Sequence, residues 1–459
     1  MAITNLLINH KEKNTWKYGL IILLFLAPFF FLTYGFANDY ASSLNSVPSI
    51  MFDWEKHIPL WPWTIVPYWS IDLFYGLSLL LCWNKFELKQ HALRLFCAQV
   101  ISITCFLLFP LKFSMNRPEL HGFFGMWFDI LMGFDKPFNQ APSLHIVLLV
   151  ILWDFYRRHS KGHLKYFVDF WSILIGISVL TTWQHHFIDI PTGVIVGVIC
   201  LWLFPISVQS PFSESNQKKT NKHLKLGIFY LLGSALLIIL SVIFKGYILW
   251  LLYPALSLLI VAIAYLTNRV HLFQKQTNGD STIAAKIIFA PYTFFAFINS
   301  RLWTKKNPDD SFIIEYKNVR IYLGRFPSTK HQTNYDALFD CCAEIPRNTH
   351  LNSYTHYSTL DLIPVQSQQL DITTQEFNRL FDNIRSSDSS ALLIYCALGY
   401  SRSSAILIAW LVQQKVFNTV EDALNTIKTA RPWIVLSNEQ IQEIAFFHQN
   451  LESNKDNKE

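Results

Sequence analysis

Eight stretches of apolar residues dominate the first 266 positions: about 18–36, 62–83, 92–111, 143–157, 166–182, 187–207, 224–243 and 246–266. A helix rises 1.5 Å per residue, so about 20 apolar residues cross the ~30 Å hydrocarbon layer of a bilayer. In lipid each backbone N–H and C=O must be satisfied within the segment, and apolar runs of this length achieve that as helices. Only 15% of the residues are charged, against about 25% in soluble domains, and the deficit falls before residue 267. The expected fold is an N-terminal all-α polytopic membrane bundle of about 8 spans, followed by a soluble domain of ordinary composition.

The net charge of +6 collects in short loops, so it reads as a topology signal and not as a nucleic-acid footprint. Lys11, Lys13 and Lys17 precede the first run, and Lys85, Lys89 and Arg94 follow the second. Arg157, Arg158, Lys161 and Lys165 follow the fourth, and Lys218, Lys219, Lys222 and Lys225 follow the sixth. These loops are assigned to the cytoplasm, and loops 37–61, 112–142 and 183–186 to the opposite side. The expectation is a multi-pass integral protein of a bacterial inner or plasma membrane, with the N-terminus and the C-terminal domain cytoplasmic. The first run lacks a small-residue cleavage site behind it and is read as a retained span.

The domain reading is 1–208 for the bundle core, 209–266 for two additional transmembrane helices, 267–310 for a juxtamembrane linker, 311–450 for a soluble domain and 451–459 for a disordered tail. Within the linker, Pro291 breaks the aromatic stretch 287–303, which favours an interfacial segment over a ninth span. From 311 onward SFIIEYKNVRIYLGR reads as two strands and ALLIYC as a buried strand. SRSSAILIAWLVQQ, EDALNTIKTA and NEQIQEIAFFHQNL read as helices, which makes this an α/β domain.

Of the seven cysteines, Cys82, Cys97, Cys105, Cys200, Cys341 and Cys342 fall in apolar segments and read as packing residues, and no metal-ligand spacing is present. Cys396 differs. It ends an apolar strand, five residues separate it from Arg402, and a helix follows. A loop of that length can curl its backbone N–H groups, from Ala397, Leu398, Gly399, Tyr400 and Ser401, around an anion. The helix N-terminus adds partial positive charge, which favours a thiolate at Cys396. Arg402 can hold two phosphate oxygens at once, and Gly399 supplies backbone freedom.

CALGYSRS, VRIYLGRFPS and RPWIVLSNEQ together resemble the dual-specificity branch of the protein tyrosine phosphatase superfamily, over about 312–450. The resemblance implies attack of Cys396 on phosphorus, a cysteinyl-phosphate intermediate, and an aspartic acid that protonates the leaving oxygen. Asp361 is the first choice for that acid and Asp371 the alternative. Ser403 would donate to the Cys396 sulfur. Tyr395 stands where the family usually has His.

A second constellation lies among the apolar runs. Lys112 and Arg117, Ser143 and His145, and His185 and Asp189 all fall on the non-cytoplasmic side by the loop charges. A carboxylate four residues from a histidine can hold one imidazole nitrogen and sharpen the other, and a second histidine can serve as general acid. These clusters resemble the type 2 phosphatidic acid phosphatase superfamily, especially its inositolphosphotransferase-like branch with a 6-helix core, over about 60–208. By that resemblance His185 is the nucleophile, Asp189 orients it, His145 protonates the leaving group, and Lys112, Arg117 and Ser143 bind phosphate. His186 competes with His185. Val179 occupies a position where that family carries Arg, while Ser178 is retained.

The combined expectation is a two-site membrane phosphatase without cofactor or metal, because Arg, Lys and backbone donors meet the phosphate charge. The membrane site would take a phospholipid or isoprenoid phosphate. The cysteine site would take a phospholipid head group, with Arg301, Lys305, Lys306, Arg320 and Arg325 as a basic rim. The rival reading is a phosphoprotein phosphatase whose membrane domain only anchors or senses.

Overall fold

The structure is a computed structural model that describes residues 10–133, 135–214, 218–347, 353–385 and 390–456. The chain divides into two units, Met1–Phe212 and Ser213–Glu459. The first unit is helical: α1 Thr15–Ser43, α2 Ile65–Leu80, α3 Lys85–Leu108, α4 Gly122–Met132, α5 Leu144–His159, α6 His163–Thr181 and α7 Asp189–Leu203. In the second unit α8 (Asn221–Phe244) pairs with α9 (Leu252–Thr267), and α10 (Ile283–Trp303) follows.

Among the described residues six helical segments are long and apolar enough to cross a membrane: α1, α3, α6, α8, Gly246–Thr267 and α10. Five of these match expected spans. The other three expected spans form α2, α5 and α7, which are only 16, 16 and 15 residues long. Helix α5 matches its expected run, while α2 and α7 lose their ends to turns: Pro62–Thr64 is a 3-10 turn, and 185–188 is irregular before α7. In the first unit, Gly193 and Gly197 let α7 approach α5 so closely that an added Cβ would press into Ile146 and Val150. That approach sets the N-termini of α5 and α7 side by side, where the Ser143 N–H donates to Asp189 O at 3.1 Å.

The expectation that Pro291 breaks the 287–303 stretch is corrected: α10 runs through it. Proline frees the carbonyl four residues before it, here that of Ile287, and the Tyr253 hydroxyl donates to that carbonyl. The helix is therefore continuous at no loss of hydrogen bonding. Its buried face carries Ala284, Ala285, Ile288, Phe289 and Ser300, at helical spacing.

The α/β domain is built on a five-stranded sheet: β1 Ser311–Tyr316, β2 Val319–Arg325, β3 Ala337–Cys342, β4 Ser353–Thr359 and β5 Ser390–Cys396, in the order β1-β2-β5-β3-β4. Only β1 and β2 run antiparallel; β2, β5, β3 and β4 are parallel. All seven residues of β5 are buried, as a central parallel strand covered on both faces requires. A short helix, α11 (Thr329–Gln332), precedes β3, and α12 (Ser367–Ile384), α13 (Arg402–Gln413), α14 (Val420–Ala430) and α15 (Asn438–Asp456) complete the domain. Trp410 of α13 is fully buried against Phe377 and Phe381 of α12. Helix α15 continues to Asp456, so 451–456 is helical where a disordered tail was expected; 457–459 lie outside the described residues. The expected cysteine roles hold for Cys341 and Cys342, buried in β3, and for Cys82 and Cys200; Cys97 and Cys105 are half-buried.

The segment between α9 and α10 is more than a connector. Lys275 reaches the buried Asp340 carboxylate at 2.7 Å and also donates to the carbonyls of Cys342 and Ile345. A buried ammonium is tolerated only when paired and saturated with acceptors, and this one fixes the segment to the end of β3.

Candidate active site

The C-terminal ends of parallel strands are where α/β sheets place their ligands, and β5 ends on Cys396. The loop from Ala397 to Ser401 then enters α13. Each of its five carbonyls is hydrogen-bonded away from the centre. Ala397 O accepts from the Ser300 hydroxyl of α10 and from Phe326 N–H. Leu398 O and Gly399 O accept from the buried Arg431 at 3.5 and 2.9 Å. Tyr400 O takes Val435 N–H at 3.0 Å and the Ser404 hydroxyl at 3.2 Å, and Ser401 O takes Ala405 N–H. Because the peptide is planar and trans, carbonyls pinned outward turn the neighbouring N–H groups inward, which makes an anion nest. Gly399 adopts φ +71° and lies against the Gly324 carbonyl, where a Cβ has no room.

Cys396 is buried, and its sulfur accepts from Gly399 N–H at 3.2 Å and from the Ser403 hydroxyl at 3.4 Å. Burial alone would push the thiol up, but the Arg402 charge and the Ser403 hydrogen bonds outweigh it and hold the thiol below its ordinary range. Tyr395 plays no part in this. It is fully buried with its ring edge-on to Phe326, and its hydroxyl has no partner among the described residues.

Arg402 is buried and faces two carboxylates. Glu344, just beyond β3, binds it through two hydrogen bonds of 2.6 and 2.9 Å. Asp361 lies 3.0 Å away, and Thr359 O accepts at 2.9 Å. Burial raises the Glu344 carboxyl, yet Arg402 outweighs it and keeps the group below the usual range. At Asp361 burial and the Glu344 charge win over Arg402, so that carboxyl is held above the usual range. A carboxyl whose hold on a proton is strengthened, near a thiol whose hold is weakened, suits leaving-group protonation. Asp371, the alternative acid, is exposed on α12; the structure brings Asp361, not Asp371, to Arg402. Glu344 and Arg431 were missed in the sequence because no fixed spacing ties them to the Cys–Arg loop.

The rim is only partly basic. The Arg301 guanidinium donates to Phe326 O at 2.8 Å and Arg325 donates to the Thr304 hydroxyl at 2.6 Å, while Lys305 and Lys306 are exposed. Arg320 sits at the other end of β2, opposite Ala391 and five residues along the strand from the Arg325–Cys396 pair, so it drops out. Beside these cations α10 exposes Phe294, Phe295, Leu302 and Trp303, all 60% or more. The Trp303 carbonyl accepts from the Tyr400 hydroxyl of the catalytic loop at 3.1 Å.

Residues 321–450 match the family described as dual specificity phosphatase, catalytic domain. The chain is a phosphoric monoester hydrolase. Similar solved structures include Tk-PTP in its active form, at 19% identity over 31% of this chain and 98% of that one, with a TM-score of 0.27. PTPMT1 in complex with PI(5)P is similar at 18% identity over 29% of this chain and 94% of that one, TM-score 0.24. A leucine rich repeat and phosphatase domain containing protein from Entamoeba histolytica is similar at 20% identity over 33% and 97%, TM-score 0.25. No curated protein matches the chain.

Outside this phosphatase domain, the histidine constellation of the first unit comes together in part. His185 Nδ1 lies 3.1 Å from Asp189 Oδ2, which also accepts the His186 N–H at 3.0 Å. The two residues do not share a helix: His185 sits in the turn before α7, and Asp189 is the first helical residue. The His145 ring stands 6.4 Å from that of His185 and stacks on Tyr68, and its Nε2 has no partner among the described residues. His186 is occupied on both nitrogens, by Glu55 at 3.0 Å and by Ser114 and Ser49.

The proposed phosphate ligands of the first unit are less uniform. Arg117 is half-buried and donates to Trp183 O at 2.9 Å. Lys112 is exposed. Ser143 is buried and caps α5. Val179, in place of an arginine, is buried, and its carbonyl accepts the Gln184 and His185 N–H groups. Glu55 could not be foreseen, since it lies about 130 residues from its partner. Among the described residues no cluster of metal-binding side chains is found.

Proposed function

We propose that the chain is a membrane-embedded phosphatase whose cysteine site removes phosphate from a phospholipid head group at the cytoplasmic face. In this mechanism the Cys396 thiolate attacks phosphorus while Arg402, the loop N–H groups and Ser403 hold the site. The bond to the leaving oxygen breaks, and Asp361 gives that oxygen its proton. Water then attacks the cysteinyl-phosphate, Asp361 takes a proton from it, and phosphate leaves as Cys396 returns to thiolate. The observation that carries the lipid reading is the exposed aromatic face of α10, flanked by Arg301, Lys305 and Lys306 and joined through Trp303 to the catalytic loop. An amphipathic helix of that kind lies in the plane of an anionic bilayer surface, and would set the mouth of the site at head-group depth.

The test compares turnover by the full chain on a phosphomonoester lipid in phosphatidylcholine–phosphatidylglycerol vesicles and on a phosphotyrosyl peptide. Phe295→Ser with Leu302→Ser should depress lipid turnover and spare that of the peptide. Rapid peptide turnover with no lipid turnover would return the protein to the anchored phosphoprotein reading.

A second reading concerns the first unit: a histidine-based transfer or hydrolysis of a phospholipid or isoprenoid phosphate, with His185 as nucleophile, Asp189 orienting it and His145 as acid. Support comes from the His185–Asp189 pair, the unpartnered His145 Nε2 beside it, and the engagement of both His186 nitrogens elsewhere. Such activity should survive Cys396→Ser and vanish with His185→Ala.

A further inference from the structure

Both carboxylates that hold Arg402 are themselves gripped through their backbone carbonyls, and the grips come from helices that precede the catalytic domain. The Tyr265 hydroxyl, in the last turn of α9, donates to Asp361 O at 3.1 Å. The Thr293 hydroxyl, in α10, donates to Glu344 O at 3.1 Å. Tyr265 is 1% exposed. Its ring meets Tyr230 of α8 at 5.3 Å, and Tyr230 meets Tyr292 of α10 at 5.9 Å. An aromatic cluster shared by α8, α9 and α10 therefore stands behind the acid loop.

The far end of that loop is tied to the same hairpin. Gln366 and Asn268 both donate to Lys218 O, at 2.6 and 3.2 Å. Between these ties the loop holds an unfavourable conformation: Leu362, next to Asp361, has φ +59° and is 65% exposed. A branched side chain with positive φ persists only where its surroundings over-determine it. Tyr265 supplies that constraint on one side of Leu362, and the paired hydrogen bonds between Val365 and the Gln440 side chain supply it on the other.

We infer that Tyr265 is a positioning residue for Asp361, so that the α8–α9 hairpin, whose segments are long and apolar enough to cross a membrane, sets the geometry of proton delivery at Cys396. The inference rests on Asp361 being the general acid of the proposed mechanism. The tie is made to the main chain of the acid itself, and a misplacement of about 1 Å at such a point costs on the order of 100-fold in rate.

The experiment uses the full chain in detergent, as wild type, Tyr265→Phe, Asp361→Asn and Cys396→Ser, with two substrates. p-Nitrophenyl phosphate releases a phenolate that departs without a proton, whereas glycerol phosphate releases an alkoxide that needs one. Tyr265→Phe keeps the ring and its packing, so an unchanged melting temperature is expected. The ratio of alkyl to aryl kcat/KM, which reports events up to departure of the leaving group and not the shared hydrolysis step, should fall about tenfold or more, in the same direction as in Asp361→Asn. An unchanged ratio, or an equal loss on both substrates, would overturn the positioning role. Turnover retained in Cys396→Ser, or an unchanged ratio in Asp361→Asn, would instead overturn the mechanism beneath it.

Discussion

Replacing Glu344 by alanine strips a buried arginine of its main counter-ion. Arg402 and Glu344 are 2% and 4% exposed in their side chains, and two charge-assisted hydrogen bonds of 2.6 and 2.9 Å are lost. Deleting one partner of a buried pair costs about 3–5 kcal/mol. Arg402 keeps Asp361 at 3.0 Å and Thr359 O at 2.9 Å, which places the loss at the lower end, about 3 kcal/mol. For a domain of this size that is a fall in Tm of roughly 6–12 °C. The pH dependence gives a second check. The Glu344 carboxyl is held below its usual range in the folded protein, so its contribution is fully present above its unfolded pKa and fades as pH falls through the folded value. The deficit of Glu344→Ala should be largest near neutrality and vanish in acid. Differential scanning fluorimetry of the full chain in detergent reads both. A neutral-pH shift of less than about 2 °C, under ~1 kcal/mol on the same scale, would refute the claim that Glu344 holds Arg402.

Further expectations concern the rest of the site. Wild-type turnover should rise with pH as Cys396 ionises below the ordinary thiol range and fall as Asp361 ionises above the ordinary carboxylate range; Asp361→Asn should abolish the falling limb in a pH–rate profile. Arg431→Met frees the carbonyls of Leu398 and Gly399, and losing hydrogen bonds to a charged group, worth about 1.5–3 kcal/mol each, should cut aryl phosphate turnover about 10- to 100-fold. In the first unit, His185→Ala should remove any lipid phosphate transfer or hydrolysis that persists in Cys396→Ser, read as a change in phospholipid profile. His186→Ala should destabilise the bundle by unpairing Glu55, which thermal melting would show.

What was legible in the sequence was local. The cysteine loop declares itself because strand, thiol, glycine, arginine and helix follow one another within about twenty residues, and β5, α13, α14 and α15 lie where the apolar patterns put them. Glu344 was invisible because the sheet order, not the chain, brings β3 beside β5. The continuity of α10 was misread because the remedy for Pro291 lies 38 residues upstream, in Tyr253. Arg320 was placed on the rim because its residue type was read without its position along β2. Helices α2 and α7 of the first unit were overestimated because apolar composition continues through turns that end the helix, as at 185–188. The link from Tyr265 to Asp361 spans 96 residues, and nothing in a linear pattern predicts it.

The central claim is that Cys396 takes the phosphoryl group covalently. Acid quenching of the full chain during turnover of p-nitrophenyl phosphate, followed by mass spectrometry of the peptide bearing Cys396, tests it most directly. The account predicts one added phosphoryl group on Cys396, enriched in Asp361→Asn because the water of the second step loses its base, and absent in Cys396→Ser together with turnover. Turnover without a modified Cys396, or label that remains in Cys396→Ser on another residue of the catalytic domain, would contradict it.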